Sequence, residues 1–128
     1  MNVLLDTHTF LWFVQGSTDL SVSARDLVNN PTTTSFLSMA SVWEMAIKIS
    51  LGKMELQLNL SDFVSHYTAI NGFRLLPITL EHTSIVTSVP FHHRDPFDRL
   101  LAAQALSEEL VLLSRDSILS AYGITRLW

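Results

Sequence analysis

The sequence has no cysteine, which excludes disulfides and thiolate metal sites and suits a cytosolic protein. Charge is scarce: 16% of the residues are Asp, Glu, Lys or Arg, against about 25% in a typical soluble domain. Only eight are Lys or Arg, and the net charge is −4. Proteins that coat duplex nucleic acid through phosphate contacts alone are usually basic, so that class is disfavoured. An enzyme that meets phosphates through metal ions is not. No apolar run approaches the roughly 18 residues needed to span a membrane. The start, "MNVLLDTHTF", lacks the basic stretch and small-residue cleavage site of a signal peptide. With four glycines in all there is no Gly-rich phosphate loop. Ser35, Ser38 and Ser41 do not fall in a G-x-S-x-G elbow, which argues against a serine hydrolase.

What is abundant is apolar character. Hydrophobic residues make up 48% of 128 positions, enough for one domain, residues 1–128, with a proper core. Such a chain has more apolar surface than a small globule hides, which points to an oligomer or a dedicated partner.

Short elements alternate along the chain. "NVLL" (2–5) reads as a buried strand ending at Asp6, and "THTFLWFVQG" as a helix stopped by Gly16. "SVSARDLVNNP" reads as a second helix, capped near Ser21 and ended by Asn29, Asn30 and Pro31. "TTTSFLS" (32–38) reads as a strand. "MASVWEMAIKISLGK" (39–53) is a helix stopped by Gly52, and "LSDFVSHYTAING" another, with Ser61 as N-cap and Gly72 as terminator. "FRLLPIT" gives a short strand interrupted by Pro77, and "LEHTSIVTSV" a helix ending before Pro90. A helix then starts at "DPFD". "LVLLS" (110–114) is a buried strand, "DSILSAYG" (116–123) a short helix closed by Gly123, and "ITRLW" a final edge strand. This succession predicts one parallel α/β sheet covered by helices on both faces.

Four acids occupy suggestive places. Asp6 closes the first strand and Asp116 lies just past "LVLLS". In a parallel sheet the carboxyl ends share an edge, where ligands of open α/β folds bind. The two therefore face one crevice if their strands are neighbours. Each can equally be a plain N-cap. Glu44 lies on the stripe Ala40–Glu44–Ile47–Leu51 of its helix, which places it at the buried face. The alternative is an exposed Glu44–Lys48 pair at i, i+4, worth only about 0.2–0.5 kcal/mol. In "HRDPFDRLLAAQA", Asp95 serves as N-cap and Pro96 as first helical residue, while Asp98 answers as the third-position acid or turns to a pocket. Asp98 shares a stripe with Leu101, Ala102 and Ala105.

If these acids converge, two carboxylates about 4 Å apart repel by roughly 4 kcal/mol at an effective dielectric near 20. Either some are protonated or a hard divalent cation neutralises them. Mg²⁺ accepts few protein carboxylates, keeps several waters and takes phosphate oxygens as further ligands.

"LLDTHTFLW", "SMASVWEMAIK", "HRDPFDRLLAAQA" and "LLSRDSILSAYGI" resemble the successive motifs of PIN-domain proteins, and more narrowly of VapC-like toxins of prokaryotic toxin–antitoxin pairs. The resemblance runs over essentially the whole chain, in order. It implies a three-layer α/β/α sandwich and a cytoplasmic, Mg²⁺- or Mn²⁺-dependent endoribonuclease that leaves a 5′-phosphate. It puts the family's metal-binding, catalytic acids on Asp6, Glu44, Asp98 and Asp116. It also implies a homodimer and a separately encoded antitoxin. Family members often carry threonine where Ser114 stands, so the hydroxyl is kept. The eight Lys and Arg mark no clear basic path for RNA. Arg94, Arg99 and Arg115 lie beside the acidic motifs and can hold phosphates, though Arg99 and Arg115 can equally pair with nearby acids.

Other readings have less support. His92, His93 and His8 lack the ligand spacing of a zinc motif. Trp12 and Trp43 sit on amphipathic helices and read as core or dimer contacts rather than base-stacking platforms. A haloacid-dehalogenase-like phosphotransferase wants a second acid two residues after the first, where His8 stands. A non-catalytic PIN-like module, whose acids only cap helices, is the remaining alternative.

Overall fold

The computed structural model describes residues 1–92 and 94–128; His93, one of the histidines weighed for zinc, lies outside the described residues. Five strands form one sheet: β1 (Asn2–Leu5), β2 (Thr34–Ser38), β3 (Arg74–Leu76), β4 (Val111–Leu113) and β5 (Arg126–Leu127). Their spatial order is β3-β2-β1-β4-β5 and every pair is parallel. The helices are α1 (Thr7–Gln15), α2 (Val22–Asn29), α3 (Met39–Ser50), α4 (Leu60–Asn71), α5 (Leu80–Val86) and α6 (Pro96–Glu108), with a 3-10 helix over Ser117–Tyr122. Among the described residues, no helix is long and apolar enough to cross a membrane.

Side chains that alternate along a strand point to opposite faces, and the two central strands use this to serve two cores. Val3 and Leu5 of β1 and Leu113 of β4 face one core, with Phe10 of α1, Met45 of α3 and Phe63 of α4. Leu4 and Leu112 face the other, with Leu101, Ala102 and Ala105 of α6. The result is the expected α/β/α arrangement of three layers.

The local signals act largely as expected. Gly16 and Gly72 end α1 and α4 with φ of +66°, a conformation that costs glycine little. Asp95 caps α6 by accepting from the N–H groups of Phe97 and Asp98. The expected cap of α4 shifts from Ser61 to Asn59, whose side chain accepts from Asp62 N; Asn is at least as good a cap as Ser, and the helix starts two residues earlier. The segment after β4 winds as a 3-10 helix.

β1 runs outward to β2 and β3 on one side, and the chain returns to β4 and β5 on the other. The strand order thus reverses between β1 and β4, and the carboxyl edge at such a reversal is where open α/β sheets bind ligands.

Candidate active site

The register pairs Leu5 with Leu113, so the residues leaving β1 and β4 emerge side by side at that reversal. The backbone N–H of Asp6 continues the ladder to Leu113 O at 3.2 Å. The Asp6 side chain is buried, and its Oδ1 accepts from Thr9 N at 2.8 Å as the cap of α1. Thr9 in turn donates its hydroxyl to Leu113 O at 3.0 Å, pinning α1 to β4. On the other strand the buried Ser114 Oγ accepts from Asp116 N at 3.1 Å, and Arg126 donates to Ser114 O at 2.8 Å. Asp116, half-buried, caps the 3-10 helix by accepting from Ile118 N. Asp6 and Asp116 then line one cleft of about 330 Å³ together with His8, Trp12 and Arg115.

Glu44 is 6% exposed on α3. Its Oε1 accepts from the Thr7 hydroxyl at 2.7 Å, and its Oε2 from Lys48 Nζ at 2.8 Å. Ser41 Oγ lies 2.9 Å from the same Thr7 oxygen. Thr7 has one hydroxyl proton and gives it to the carboxylate, which leaves Ser41 to donate to Thr7. Both sequence readings of Glu44 therefore hold in part: the acid is buried, and its i, i+4 lysine supplies the cation that burial demands. The apolar stripe it shares runs out of the core, for Ala40 is fully buried and Leu51 is 61% exposed.

Asp98 is half-buried in the first turn of α6. Its neighbour Phe97 packs edge-on against Trp43, the neighbour of Glu44, with ring centroids 5.3 Å apart. Asp98 is not among the described residues lining the Asp6–Asp116 cleft. Among the described residues, no three Asp, Glu or His side chains stand together as a single ion's ligands. The structure brings Asp6 and Asp116 into one cleft, ties Glu44 to the residue after Asp6, and sets Asp98 on the helix packed against α3.

The donor set fits a hard cation. Mg²⁺ is commonly held by one or two carboxylates with several waters, and Asp6 and Asp116 present two at one cleft. Among the described residues, Asp6 Oδ2 takes no hydrogen bond, so a donor atom is available.

Basic residues also gather beside the acids. Lys48, Lys53 and Arg94 line a groove of about 420 Å³ with Glu44 and Phe97, a path that the scattered basic residues of the sequence do not reveal. Arg99 donates to Val86 O and Val89 O and stacks on Phe91, while Arg115 lies over the Trp12 ring. Neither pairs with an acid among the described residues. Sequence reasoning missed Thr7, although a hydroxyl directly after the strand-closing acid and Ser41 one turn before Glu44 were the available signals. It read Trp12 as a core or dimer contact; the ring does pack against the core, and it also lines the cleft.

The family model of the PIN domain matches residues 3–124. The chain belongs to the PIN-domain family. PIN domains are generally nucleases and typically use divalent metal ions. This PIN domain shares its fold with VapBC2 from Rickettsia felis bound to a DNA fragment from their promoter, at TM-score 0.72 and 13% identity, covering 100% of this chain and 99% of that one. DNA-bound VapBC from Salmonella typhimurium is similar at TM-score 0.71 and 13% identity, covering 99% and 97%. FitAcB from Neisseria gonorrhoeae gives 0.64 and 17%, covering 98% and 96%. No curated protein matches this PIN domain by sequence.

Proposed function

We infer that this PIN domain is a Mg²⁺- or Mn²⁺-dependent endoribonuclease acting as the toxin of a toxin–antitoxin pair. The observation that carries the reading is the placement of Asp6 and Asp116, from adjacent parallel strands, in one cleft at the strand-order reversal. Asp6 and Asp116 hold the ion, with Asp98 as a further ligand and Glu44 as a ligand directly or through water. A divalent ion bound there neutralises carboxylates and phosphate and activates water for hydrolysis. Thr7 and Lys48 fix the Glu44 carboxylate, and the groove of Lys48, Lys53 and Arg94 guides the sugar–phosphate chain toward the acids. The solved structures of like fold include VapBC complexes, which supports an antitoxin as partner. The exposed Trp43, Leu51 and Phe91 give such a partner, or a second copy in a homodimer, apolar surface to cover. Placement in the cytoplasm belongs to the same reading.

The test is cleavage of end-labelled single-stranded RNA in Mg²⁺, Mn²⁺ or EDTA by the purified protein and its Asp6→Asn and Asp116→Asn variants. Metal-dependent cleavage lost in both variants supports the reading; full activity in Asp6→Asn overturns it.

A second reading is favoured by one observation: Asp6, Asp95 and Asp116 all cap helices, and Glu44 has Lys48. In a non-catalytic module these roles would be the whole account. Calorimetry separates the two, since a module of this kind takes up no Mn²⁺ at millimolar concentration.

A further inference from the structure

Arg115 precedes Asp116 in the chain and lines the same cleft, yet its guanidinium lies over the Trp12 ring, 4.9 Å from the centroid. Among the described residues it has no carboxylate partner. Of the other cations near the acids, Lys48 is committed to Glu44, Arg99 to two backbone carbonyls and Arg126 to Ser114 O, while Lys53 and Arg94 line the groove beside Glu44 rather than this cleft. Arg115 is exposed and held in place by an aromatic face, so its N–H groups are left for an anion entering the cleft.

The opposite element supplies aromatic surface. His8 and Trp12 lie one turn apart on α1, and their rings are 5.4 Å apart and tilted by 34°. Trp12 is steadied from the side by Trp128, whose ring meets it edge-on at 5.9 Å. His8 is exposed and Trp12 half-buried, and both line the cleft with Asp6. The cleft is therefore lined by two acids, two aromatic rings and one cation. At about 330 Å³ it is at the small end for a ligand pocket, the scale of one nucleotide unit and far too small for a duplex.

We propose that His8, Trp12 and Arg115 form a nucleotide subsite that receives the unstacked base beside the scissile phosphate of single-stranded RNA. The base lies on the His8–Trp12 surface and Arg115 pairs with the adjoining phosphate. A base can offer its face in this way only when out of a helix, so the subsite selects single strands. Purines, with the larger face, are preferred over pyrimidines. The proposal deepens the nuclease reading and rests on it for the word scissile.

The test is fluorescence anisotropy of a labelled oligoadenylate hexamer with the full chain, in EDTA and again in Ca²⁺. Trp12→Leu and Arg115→Gln are expected to weaken binding by about tenfold or more, with Trp12→Phe, which keeps a ring, losing less. An oligouridylate hexamer and a duplex of the same length bind more weakly to the wild type. Wild-type affinity in Trp12→Phe, Trp12→Leu and Arg115→Gln overturns the proposal. So does a loss confined to Trp12→Leu that tracks a changed oligomeric state by light scattering, for Trp12 would then be a contact between copies. Cleavage in Mg²⁺ is read separately. Ring-dependent binding without cleavage overturns the nuclease reading and keeps the subsite, whereas cleavage with unaltered base preference in all variants keeps the nuclease and removes the subsite.

Discussion

The hydroxyl of Thr7 donates to Oε1 of Glu44 across 2.7 Å, joining the first residue of α1 to the buried acid of α3. The bond crosses 37 residues of sequence and fixes how far α3 stands from the carboxyl end of β1. A hydrogen bond to a charged buried acceptor is stronger than a neutral one, and leaving that acceptor short is costly.

Replacing Thr7 with Val keeps the shape and removes the donor. Thr7→Val is expected to lose about 1–3 kcal/mol of stability in urea unfolding, while Thr7→Ser stays within about 1 kcal/mol of wild type. Equal loss in both would mean that the methyl, not the hydroxyl, matters.

Asp6 caps α1, and the proposed function gives it a second, separable job. Asn is as good an N-cap as Asp, so Asp6→Asn should keep the bond to Thr9 N and unfold near the wild-type denaturant midpoint. Asp6→Ala loses the cap and about 1 kcal/mol. On the proposed nuclease function both variants should lose RNA cleavage by at least about a hundredfold, because both remove a charge that would hold the ion. Activity that followed stability, with Asp6→Asn active and Asp6→Ala not, would make Asp6 a cap alone.

The Glu44–Lys48 pair can be measured as a double-mutant cycle with Glu44→Gln and Lys48→Met. Exposed helix pairs couple by about 0.3–0.5 kcal/mol. Here the acid is buried and the lysine side chain about one-third exposed, so a coupling near 1 kcal/mol is expected. A value indistinguishable from zero in low salt would show that water screens the pair as it does at an open surface.

Gln104 is wholly buried and joins three elements. Its Oε1 accepts from Ser38 Oγ at 2.6 Å, and its amide nitrogen lies 3.4 Å from Pro77 O and 3.3 Å from His82 Nδ1. Ser38 also caps α3, the helix that carries Glu44. Gln104→Leu should cost about 1–3 kcal/mol in thermal or chemical unfolding by stranding the Ser38 hydroxyl. A neutral effect would show that this proton finds another acceptor.

Much of the architecture could be read in advance. "NVLL" and "LVLLS" are short, apolar and bounded, and they became β1 and β4 within a residue at each end. Proline at N1 and Asp95 at the cap started α6 where the motif put it. The cap of α4 moved because Asn59 and Ser61 compete locally with similar strength. Of the site, Asp6 and Asp116 were legible as strand-closing acids. Thr7, Trp12 and the groove of Lys48, Lys53 and Arg94 were not, since each depends on which helix packs beside which.

The sequence alone determined periodicity and punctuation: where strands and helices start and stop, and which face of each is apolar. These follow from local sterics, backbone hydrogen bonding and burial of side chains along one element. Only the tertiary structure decided that β1 lies beside β4, that Asp6 and Asp116 share a cleft, and that Lys48 neutralises a buried Glu44. Pairing and electrostatic partnership depend on distances through space between segments far apart in the chain, and the packing of two cores on one sheet is what sets those distances.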